Sequence, residues 1–148
     1  MDIHSLLLPS LTLCQHPCSS KKRVLEDVAS LVSEQFPSLD ANEVFSALIA
    51  RERLGSTGIG GGIAIPHCRI KDCSRTTAVL ITLESAIDFN AIDSKNVDII
   101  FVLLVPENQH DDHLKTLASI AEKLSDSNIL KNIRAAKSNT ELFNTVNV

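Results

Sequence analysis

His67 follows, after four intervening residues, a segment that contains every glycine of the chain. The five glycines lie between Gly55 and Gly62, and Ile63-Ala64-Ile65-Pro66 connects them to the histidine. A neutral imidazole nitrogen is a good nucleophile near pH 7, and a phosphoryl group in transfer spreads negative charge over three oxygens. Backbone N–H groups and arginine side chains can stabilise that charge. The pattern therefore favours phosphoryl chemistry at His67, beside the plainer alternative of a structural histidine after a tight glycine turn.

Several polar groups near His67 in the sequence could stabilise a phosphoryl group. A second histidine could hold the phosphoryl oxygens, and both His110 and His113 follow the apolar segment 97–105. We expect a helix to begin there, and the positive potential of its N-terminus would add to the site. The remaining candidates are Arg51, Arg53, Ser56, Thr57 and the N–H groups of the glycines, Gly58 and Gly60 among them.

The familiar glycine-rich phosphate loops do not fit this segment. A Walker A loop requires a lysine where Gly61 stands, although Gly55 and Gly60 have the required spacing. A dinucleotide-binding fingerprint requires a third glycine where Ile63 stands. The serine hydrolase elbow, Gly-x-Ser-x-Gly, does not occur in the sequence. Nucleotide binding and serine hydrolysis are therefore disfavoured.

The elements that must position these residues are amphipathic helices and buried strands. Helical spacing of apolar residues behind capping residues predicts helices, and continuous runs of branched apolar residues predict strands buried on both faces. The helix over 112–125 is expected to bury Leu114, Leu117, Ala118, Ala121 and Leu124. The predicted helices are 21–35, 41 to about 55, 112–125, 127–136 and a short last one capped by Ser138 and Glu141, and the predicted strands are 63–65, 77–83 and 97–105, with room for another at 87–89.

Composition and charge narrow the function classes. We predict one α/β domain over residues 1–148. The net charge of −4 gives no general attraction for nucleic acid, so we expect no nucleic-acid partner. The longest apolar run, 99–105, is too short to span a bilayer, and the N-terminus does not resemble a signal peptide. We therefore expect a soluble cytoplasmic protein without membrane insertion, whose four cysteines are thiols.

Residues 51–67, RERLGSTGIGGGIAIPH, resemble the active-site segment of the mannitol/fructose-type IIA proteins of the bacterial phosphoenolpyruvate phosphotransferase system. Within that family the likeness is greatest to the nitrogen-regulatory branch. It extends over nearly the whole chain and includes Ser20-Lys21-Lys22-Arg23, Ala91-Ile92-Asp93 and Leu103-Leu104-Val105-Pro106. It also includes His113-Leu114-Lys115-Thr116-Leu117, which favours His113 over His110 as the second histidine.

The resemblance implies a fold, a reaction and a set of site residues. The fold would be a mixed parallel and antiparallel sheet flanked by helices. His67 would be phosphorylated on Nε2 by a histidine phosphocarrier protein, with Arg51 and His113 as supporting residues. Thr57 would line the site, and we expect Ser56, Gly58 and Gly60 to bind the phosphoryl group with it. Neither a metal nor another cofactor is expected, because the P–N bond itself stores the transfer potential.

Three functional interpretations stay open at this point. In the first, the chain is a free-standing regulatory IIA whose phosphorylation state controls binding to target proteins of nitrogen and potassium homeostasis, such as potassium transport or sensor-kinase components. In the second, it is a sugar-transport IIA that passes the phosphoryl group to a IIB cysteine. In the third, it binds metal through Cys14, His16 and Cys18, or through His67 and Cys68 with 110–113, although the spacings match no common zinc pattern.

The sequence departs from the family pattern directly after the histidine. Cys68 follows His67 where relatives commonly have a small residue, often glycine, and Gly61 replaces a position that is often polar. A thiol beside the nucleophile suggests the hypothesis of redox-sensitive activity, against the simpler interpretation of a tolerated small side chain. We expect Cys14, Cys18 and Cys73 to be structural thiols and His16 to lie at the surface.

Overall fold

The computed structural model describes residues 6–108 and 112–146, with side chains except at positions 112 and 113. The strands and helices in these ranges alternate irregularly along the chain. In chain order they are β1 (Leu7–His16), α1 (Lys21–Gln35), α2 (Ala41–Leu54), β2 (Gly58–Gly60), β3 (Ile63–Ala64), β4 (His67–Ile70), β5 (Thr77–Ile87), β6 (Val97–Pro106), α3 (Asp112–Lys123), α4 (Ser127–Ala135) and α5 (Asn139–Val146).

These strands form one mixed sheet around β5 and β6. β1 pairs with β5 in parallel, and β5 pairs with β6 in the antiparallel sense. The other edge of β6 pairs in parallel with β3 near its start and with β4 near its end, while β2 pairs antiparallel with β3. The structure confirms the predicted sheet of mixed strand direction with helices on both faces. Its register sets His67 opposite Leu103 of β6.

The side chains of the central strands alternate between two cores. Val79 and Ile81 of β5 belong to the core under α1 and α2, whereas Ala78 and Leu80 belong to the core under α3, α4 and α5. Successive strand residues point to opposite faces of a sheet, so two covered faces require apolar residues at every position. This explains why residues 77–83 are buried without interruption, as the continuous apolar run predicted.

Local capping chemistry defines the helix starts. The hydroxyl of Ser20 accepts a hydrogen bond from the N–H of Arg23 at 3.2 Å, and α1 has the predicted bounds. The carboxylate of Asp40 accepts from the N–H of Glu43 at 3.2 Å at the start of α2. Each cap satisfies a backbone donor that the helix itself leaves unpaired, which is why the sequence predicted these boundaries well.

Three short or irregular strands lie where no strand was predicted. β1 forms an edge of the sheet and contains Pro9, which an edge strand tolerates because one side of its backbone has no strand partner. Its register against β5 shifts twice, which removes the simple alternation that reveals a strand. β2 and β4 have three and four residues. The strand expected at 87–89 was wrong, because β5 itself continues to Ile87.

The face that α3 presents to the core agrees with the prediction at Leu117, Ala121 and Leu124 and differs at two other positions. Ile120 and Leu124 are buried, and Leu117 and Ala121 pack beside them. Leu114, by contrast, is 63% exposed, and Ala118 is exposed as well, so these two inward assignments were wrong. The inward stripe includes Thr116 and Ile120, which the prediction did not name, in place of Leu114 and Ala118. No helix in the described part of the chain is long and apolar enough to cross a bilayer.

Candidate active site

His67 begins β4, just after a break in the strand that pairs with β6. β3 ends at Ala64, and Pro66 has no N–H to continue the ladder. The carbonyl of Pro66 accepts a hydrogen bond from the N–H of Leu103 at 2.9 Å, so the break is still tied to β6. The imidazole of His67 is half-buried at this point.

The hydrogen bonds of the His67 ring define its tautomer. Nδ1 lies 2.8 Å from the carbonyl oxygen of Ile65, and Nε2 lies 3.4 Å from Nε of Arg51. A carbonyl oxygen can only accept and a guanidinium N–H can only donate. Nδ1 therefore carries the proton, and Nε2 carries the lone pair that a nucleophile needs.

Arg51 reaches His67 from the last turn of α2. Its Nη1 donates to the carbonyl of Gly55 at 2.9 Å, which caps the C-terminus of the helix and orients the guanidinium. The 3.4 Å contact to His67 is long for a hydrogen bond, as is common for catalytic groups before a substrate is bound. The guanidinium thus lies where an anion on Nε2 would gain charge-assisted hydrogen bonds.

A mostly apolar cavity of about 620 Å³ opens beside this pair. Leu54 on its rim is 85% exposed, which is unusual for a large aliphatic side chain. Arg69 follows His67 by two positions on β4, so both side chains leave the same face of the strand. The lining consists of Ala47, Ala50, Arg51, Leu54, His67, Cys68, Arg69 and Val105.

The glycine turn lies away from the histidine. Gly60, Gly61 and Gly62 have positive φ and form the turn between β2 and β3. Five positions separate Gly62 from His67, which corresponds to about 16 Å of extended chain. Charges of both signs lie at the turn: Asp93 accepts from the N–H of Gly61 at 2.9 Å, and Arg134 donates to the carbonyl of Gly61 at 2.8 Å. Gly60 is not among the residues that line the cavity beside His67, so the structure does not bring it to the ring.

The other predicted phosphoryl ligands use their polar groups within the protein. The hydroxyl of Ser56 donates to the carbonyl of Phe89 at 2.7 Å and accepts from the N–H of Gly58 at 3.0 Å. The N–H and the hydroxyl of Thr57 both donate to the carboxylate of Glu52. Among the described residues, the cavity lining contains Arg51 and His67 but not Ser56, Thr57, Gly58 or Gly60. The structure thus brings two of the predicted site residues together and leaves these four behind the site.

The second histidine falls at the edge of the described chain. His110 lies outside the described residues. The backbone of His113 lies in the first turn of α3, which follows the end of β6, but its side chain lies outside the described part. The prediction that His113 supports the site therefore stays a prediction.

Cys68 is unsuited to the redox role suggested by its place beside His67. Burial, with a smaller contribution from the neighbouring Cys73, raises the pKa of the Cys68 thiol to about 12. A thiol with that pKa is protonated at neutral pH, and the thiolate is the form that oxidants attack. The structure thus favours the simpler interpretation of a tolerated small side chain.

The residues proposed for a metal site have other partners. His16, expected at the surface, is partly exposed, and its Nε2 lies 2.8 Å from the carboxylate of Asp27. The thiol of Cys14 donates to the carbonyl of Ala136 at 3.1 Å. Within residues 6–108 and 112–146, no group of three or more His, Cys, Asp or Glu residues is arranged to hold a metal ion. The metal interpretation has no support there.

Sequence reasoning missed a buried ion pair behind the site. Glu52 is 8% exposed, and its carboxylate lies 2.8 Å from Nζ of Lys21 in α1. A glutamate between two arginines near a helix end ordinarily indicates a solvated face. In the sequence, only the position of Glu52 next to Arg51 could have drawn attention to it. The packing of α2 against α1 is what buries this carboxylate.

The comparisons with known proteins identify the family of this chain. The sequence model of the family described as "Phosphoenolpyruvate-dependent sugar phosphotransferase system, EIIA 2" matches residues 5–148. The chain belongs to the EIIA 2 family. The nitrogen regulatory protein of Pseudomonas aeruginosa is 42% identical over 144 residues, which cover 97% of this chain and 94% of that protein. The nitrogen regulatory protein of Escherichia coli K12 is 43% identical over 147 residues, or 99% of this chain and 90% of that protein.

A solved structure of a nitrogen regulatory protein has the same fold as this chain. The crystal structure of the nitrogen regulatory protein IIA-Ntr from Neisseria meningitidis matches with a TM-score of 0.90 and 37% sequence identity. The match covers 97% of this chain and 98% of that one. These relatives confirm the resemblance to the nitrogen-regulatory branch of the family that residues 51–67 predicted.

Proposed function

We propose that this protein accepts a phosphoryl group on Nε2 of His67 from a histidine phosphocarrier protein. The observation that carries the proposal is the hydrogen-bond pattern of the ring, with Nδ1–H on Ile65 and the lone pair of Nε2 directed at Arg51. Membership of the EIIA 2 family makes phosphotransfer the reaction class to test first. The reaction would take place in the cytoplasm.

The proposed step moves one phosphoryl group between two imidazoles. Nε2 of His67 attacks phosphorus in line while the P–N bond to the donor histidine breaks, and the electron pair of that bond stays on the donor ring. The ring of His67 gains positive charge as its lone pair enters the new bond. The Nδ1–H bond to the carbonyl of Ile65 strengthens with that charge, so no proton has to leave before the bond forms.

Arg51 and His113 would stabilise the charge on the transferred oxygens. The guanidinium is already within 3.4 Å of Nε2 and needs little movement to reach a phosphoryl oxygen. His113 would approach from the first turn of α3, whose N-terminus adds positive potential. In this proposal the phosphoryl group is not contacted by the residues of β2 and the segment before it, which hold β3 in place: Ser56, Thr57, Gly58 and Gly60.

The proposed use of the phosphoryl group is regulation. Phosphorylation would add a charge of about −1.5 to −2 to a cavity with mainly apolar walls. A partner that packs on those walls would bind one form and be repelled by the other. The names of the relatives favour nitrogen regulation, and the proposed targets are components of potassium transport or sensor kinases. Transfer to a IIB cysteine for sugar transport is the alternative.

The test is an intact-mass measurement. The protein is mixed with phosphoenolpyruvate, the first enzyme of the phosphotransferase system and a histidine phosphocarrier. We expect one acid-labile phosphoryl adduct in wild type, none in His67→Ala and a normal adduct in His16→Ala, which is the matched histidine control. An adduct of equal size on His67→Ala would refute the assignment. Adding a fructose- or mannitol-type IIB then distinguishes the two uses, because rapid loss of the adduct to IIB supports transport.

A further inference from the structure

We propose that Glu52 is a positioning residue, which acts through Thr57 and Ile65 to hold His67 in the Nδ1–H tautomer. The consequence for phosphotransfer depends on the function proposed above, whereas the effect on the tautomer does not. Glu52 does not contact His67, and nothing in the proposed step uses its carboxylate directly. It is nevertheless among the few charged side chains buried in the described part of the chain.

The carboxylate of Glu52 is held from one side by Lys21. The Lys21 ammonium lies 2.8 Å from Oε2 and also donates to the carbonyl of Phe89 at 3.3 Å. The same ammonium lies 4.9 Å from the centre of the Phe89 ring, a cation–π contact. With only 4% of the Glu52 side chain exposed, water contributes little to its solvation, so these partners define where the carboxylate lies.

From the other side, the carboxylate holds Thr57. The N–H of Thr57 lies 3.2 Å from Oε1, and the hydroxyl of the same residue donates to that oxygen. Thr57 is itself 4% exposed. Two hydrogen bonds from one residue to one buried carboxylate fix both its backbone and its side chain, since hydrogen bonds to ionised groups are the stronger kind.

Thr57 then fixes the backbone that faces His67. Its carbonyl accepts from the N–H of Ile65 at 2.9 Å, which continues the β2–β3 ladder beyond Ala64. One residue after Ile65, the carbonyl of Pro66 accepts a hydrogen bond from the N–H of Leu103 at 2.9 Å. The Ile65 carbonyl lies in the peptide plane between these two bonded planes, so its direction is determined by both. That carbonyl is the one that accepts from Nδ1 of His67.

The two ring contacts of His67 described above therefore depend on adjacent residues of α2. Arg51 contacts Nε2 directly, and Glu52 acts on the Nδ1 side through Thr57 and Ile65. In the opposite tautomer a proton would occupy Nε2, which removes the nucleophilic lone pair and directs an N–H at the Arg51 guanidinium. The bond made by one ring nitrogen determines which nitrogen carries the proton. Loosening Thr57 should therefore increase the population of the unreactive tautomer.

The first test is the ring tautomer of the unphosphorylated protein. Long-range nitrogen–proton NMR spectra at about pH 8, where imidazoles are ordinarily neutral, distinguish Nδ1–H from Nε2–H, and His67→Ala assigns the signals. We expect wild type and Thr57→Ser to show the Nδ1–H form, and Thr57→Val and Glu52→Gln to show a mixture. Thr12→Val is the matched control, because its buried hydroxyl bonds to the carbonyl of Leu8 at 3.0 Å in edge strand β1.

The second test is the kinetics of phosphoryl uptake from the carrier. Thr57→Val should lower kcat about five- to tenfold, the effect of one lost hydrogen bond, with KM for the carrier unchanged because the cavity walls are intact. Thr57→Ser should restore most of the rate. If the role of Glu52 is purely structural, Thr57→Val and Glu52→Gln should lower the thermal stability of the protein. The His67 tautomer and the kcat of the folded fraction should then be unaltered.

The outcomes separate this proposal from the proposed function. An unchanged tautomer in both Thr57→Val and Glu52→Gln overturns the positioning role, and so does an equal change in Thr12→Val. If wild type accepts no phosphoryl group, the proposed function fails, while the NMR spectra still decide the positioning role. If Glu52→Gln does not fold, the tautomer of Thr57→Val decides the positioning role alone, because that substitution only exchanges one hydroxyl for a methyl group.

Discussion

Nε of Arg51 lies 3.4 Å from Nε2 of His67, although 16 positions separate the two residues in the sequence. The contact exists because the C-terminal turn of α2 and the start of β4 meet at one end of the sheet. It places a permanent positive charge at the atom that we propose to be phosphorylated. The predictions below test this contact and the network behind it.

Replacing Arg51 should slow phosphoryl uptake far more than it weakens carrier binding. Removing one positioned hydrogen-bond donor that stabilises negative charge in the transition state ordinarily lowers kcat by about 10²–10³-fold. We expect Arg51→Ala to lose about that much and Arg51→Lys to retain part of the rate, since lysine keeps the charge without the planar fork. Initial rates of adduct formation measure this. Arg53→Ala is the control, because Arg53 is exposed two positions away, and an equal loss there would contradict a specific role for Arg51.

Gly62→Ala should destabilise the fold without altering the chemistry at His67. A Cβ there would lie 2.6 Å from Nη2 of Arg134 and 2.9 Å from Oδ1 of Asp98, at a φ of +82°. Strain and displacement of the Arg134–Asp98 pair should cost about 2–3 kcal/mol of unfolding free energy. Urea denaturation measures the loss.

Gly61→Ala is the matched comparison for that substitution. Gly61 has a φ of +67° but nothing within 4 Å of a Cβ, so it carries the backbone strain alone, about 1 kcal/mol. The phosphoryl uptake rate of the folded protein should be unchanged in both variants. A large loss of kcat in either would revive the interpretation of the glycine turn as a phosphate cradle.

The thiol of Cys68 should make folding sensitive to alkaline pH. Its pKa is raised in the folded state to about 12, from an ordinary value of 9.0. A raised pKa gives stability that is complete below pH 9 and is lost as the pH rises toward 12, because the unfolded thiol ionises first. We expect the urea midpoint of wild type to fall between pH 8 and pH 10.5, and that of Cys68→Ala to fall less. Parallel curves for the two proteins would contradict a raised pKa for this thiol.

Alkylation offers a separate check on the same thiol. Iodoacetamide reacts with thiolates, so native Cys68 should be labelled much more slowly at pH 7.5 than the same cysteine in urea. Peptide mass mapping after short exposure measures this, with Cys18, which is partly exposed as Cys68 is, as the internal reference. Labelling of Cys68 as fast as Cys18 would show an accessible thiolate and reopen the redox hypothesis.

Lys21→Met should destabilise the protein through the carboxylate that it leaves behind. Breaking a buried ion pair on one side typically costs about 3–5 kcal/mol, and we expect about 2–3 here because Lys21 keeps 20% of its side chain exposed. The double variant Lys21→Met/Glu52→Gln should recover part of that loss, because no unpaired charge then remains. Urea denaturation of the four proteins gives the coupling energy. Additive effects would mean that the two residues do not stabilise each other.

The elements that the sequence predicted well have a local physical cause. Ser20 and Asp40 cap helices through hydrogen bonds to residues three positions on, and the runs 77–83 and 97–105 are apolar because both faces of β5 and β6 are covered. β1 was missed because Pro9 and two register shifts hide its alternation. The stripe of α3 was misjudged at Leu114, where the apolar residue is exposed. The strand that pairs with β1, β5, comes from a distant part of the chain.

The sequence by itself determined the candidate nucleophile, the family and the mixed α/β class, since the residues 51–67 and the helical and strand patterns are local properties. Only the tertiary structure decided which groups face His67. It joined Arg51 to Nε2, placed Glu52 and Thr57 behind Ile65, and carried the glycine turn toward Asp93 and away from the ring. The reason is that these contacts follow from the register of β3 and β4 against β6 and from the packing of α2, which no short stretch of sequence specifies.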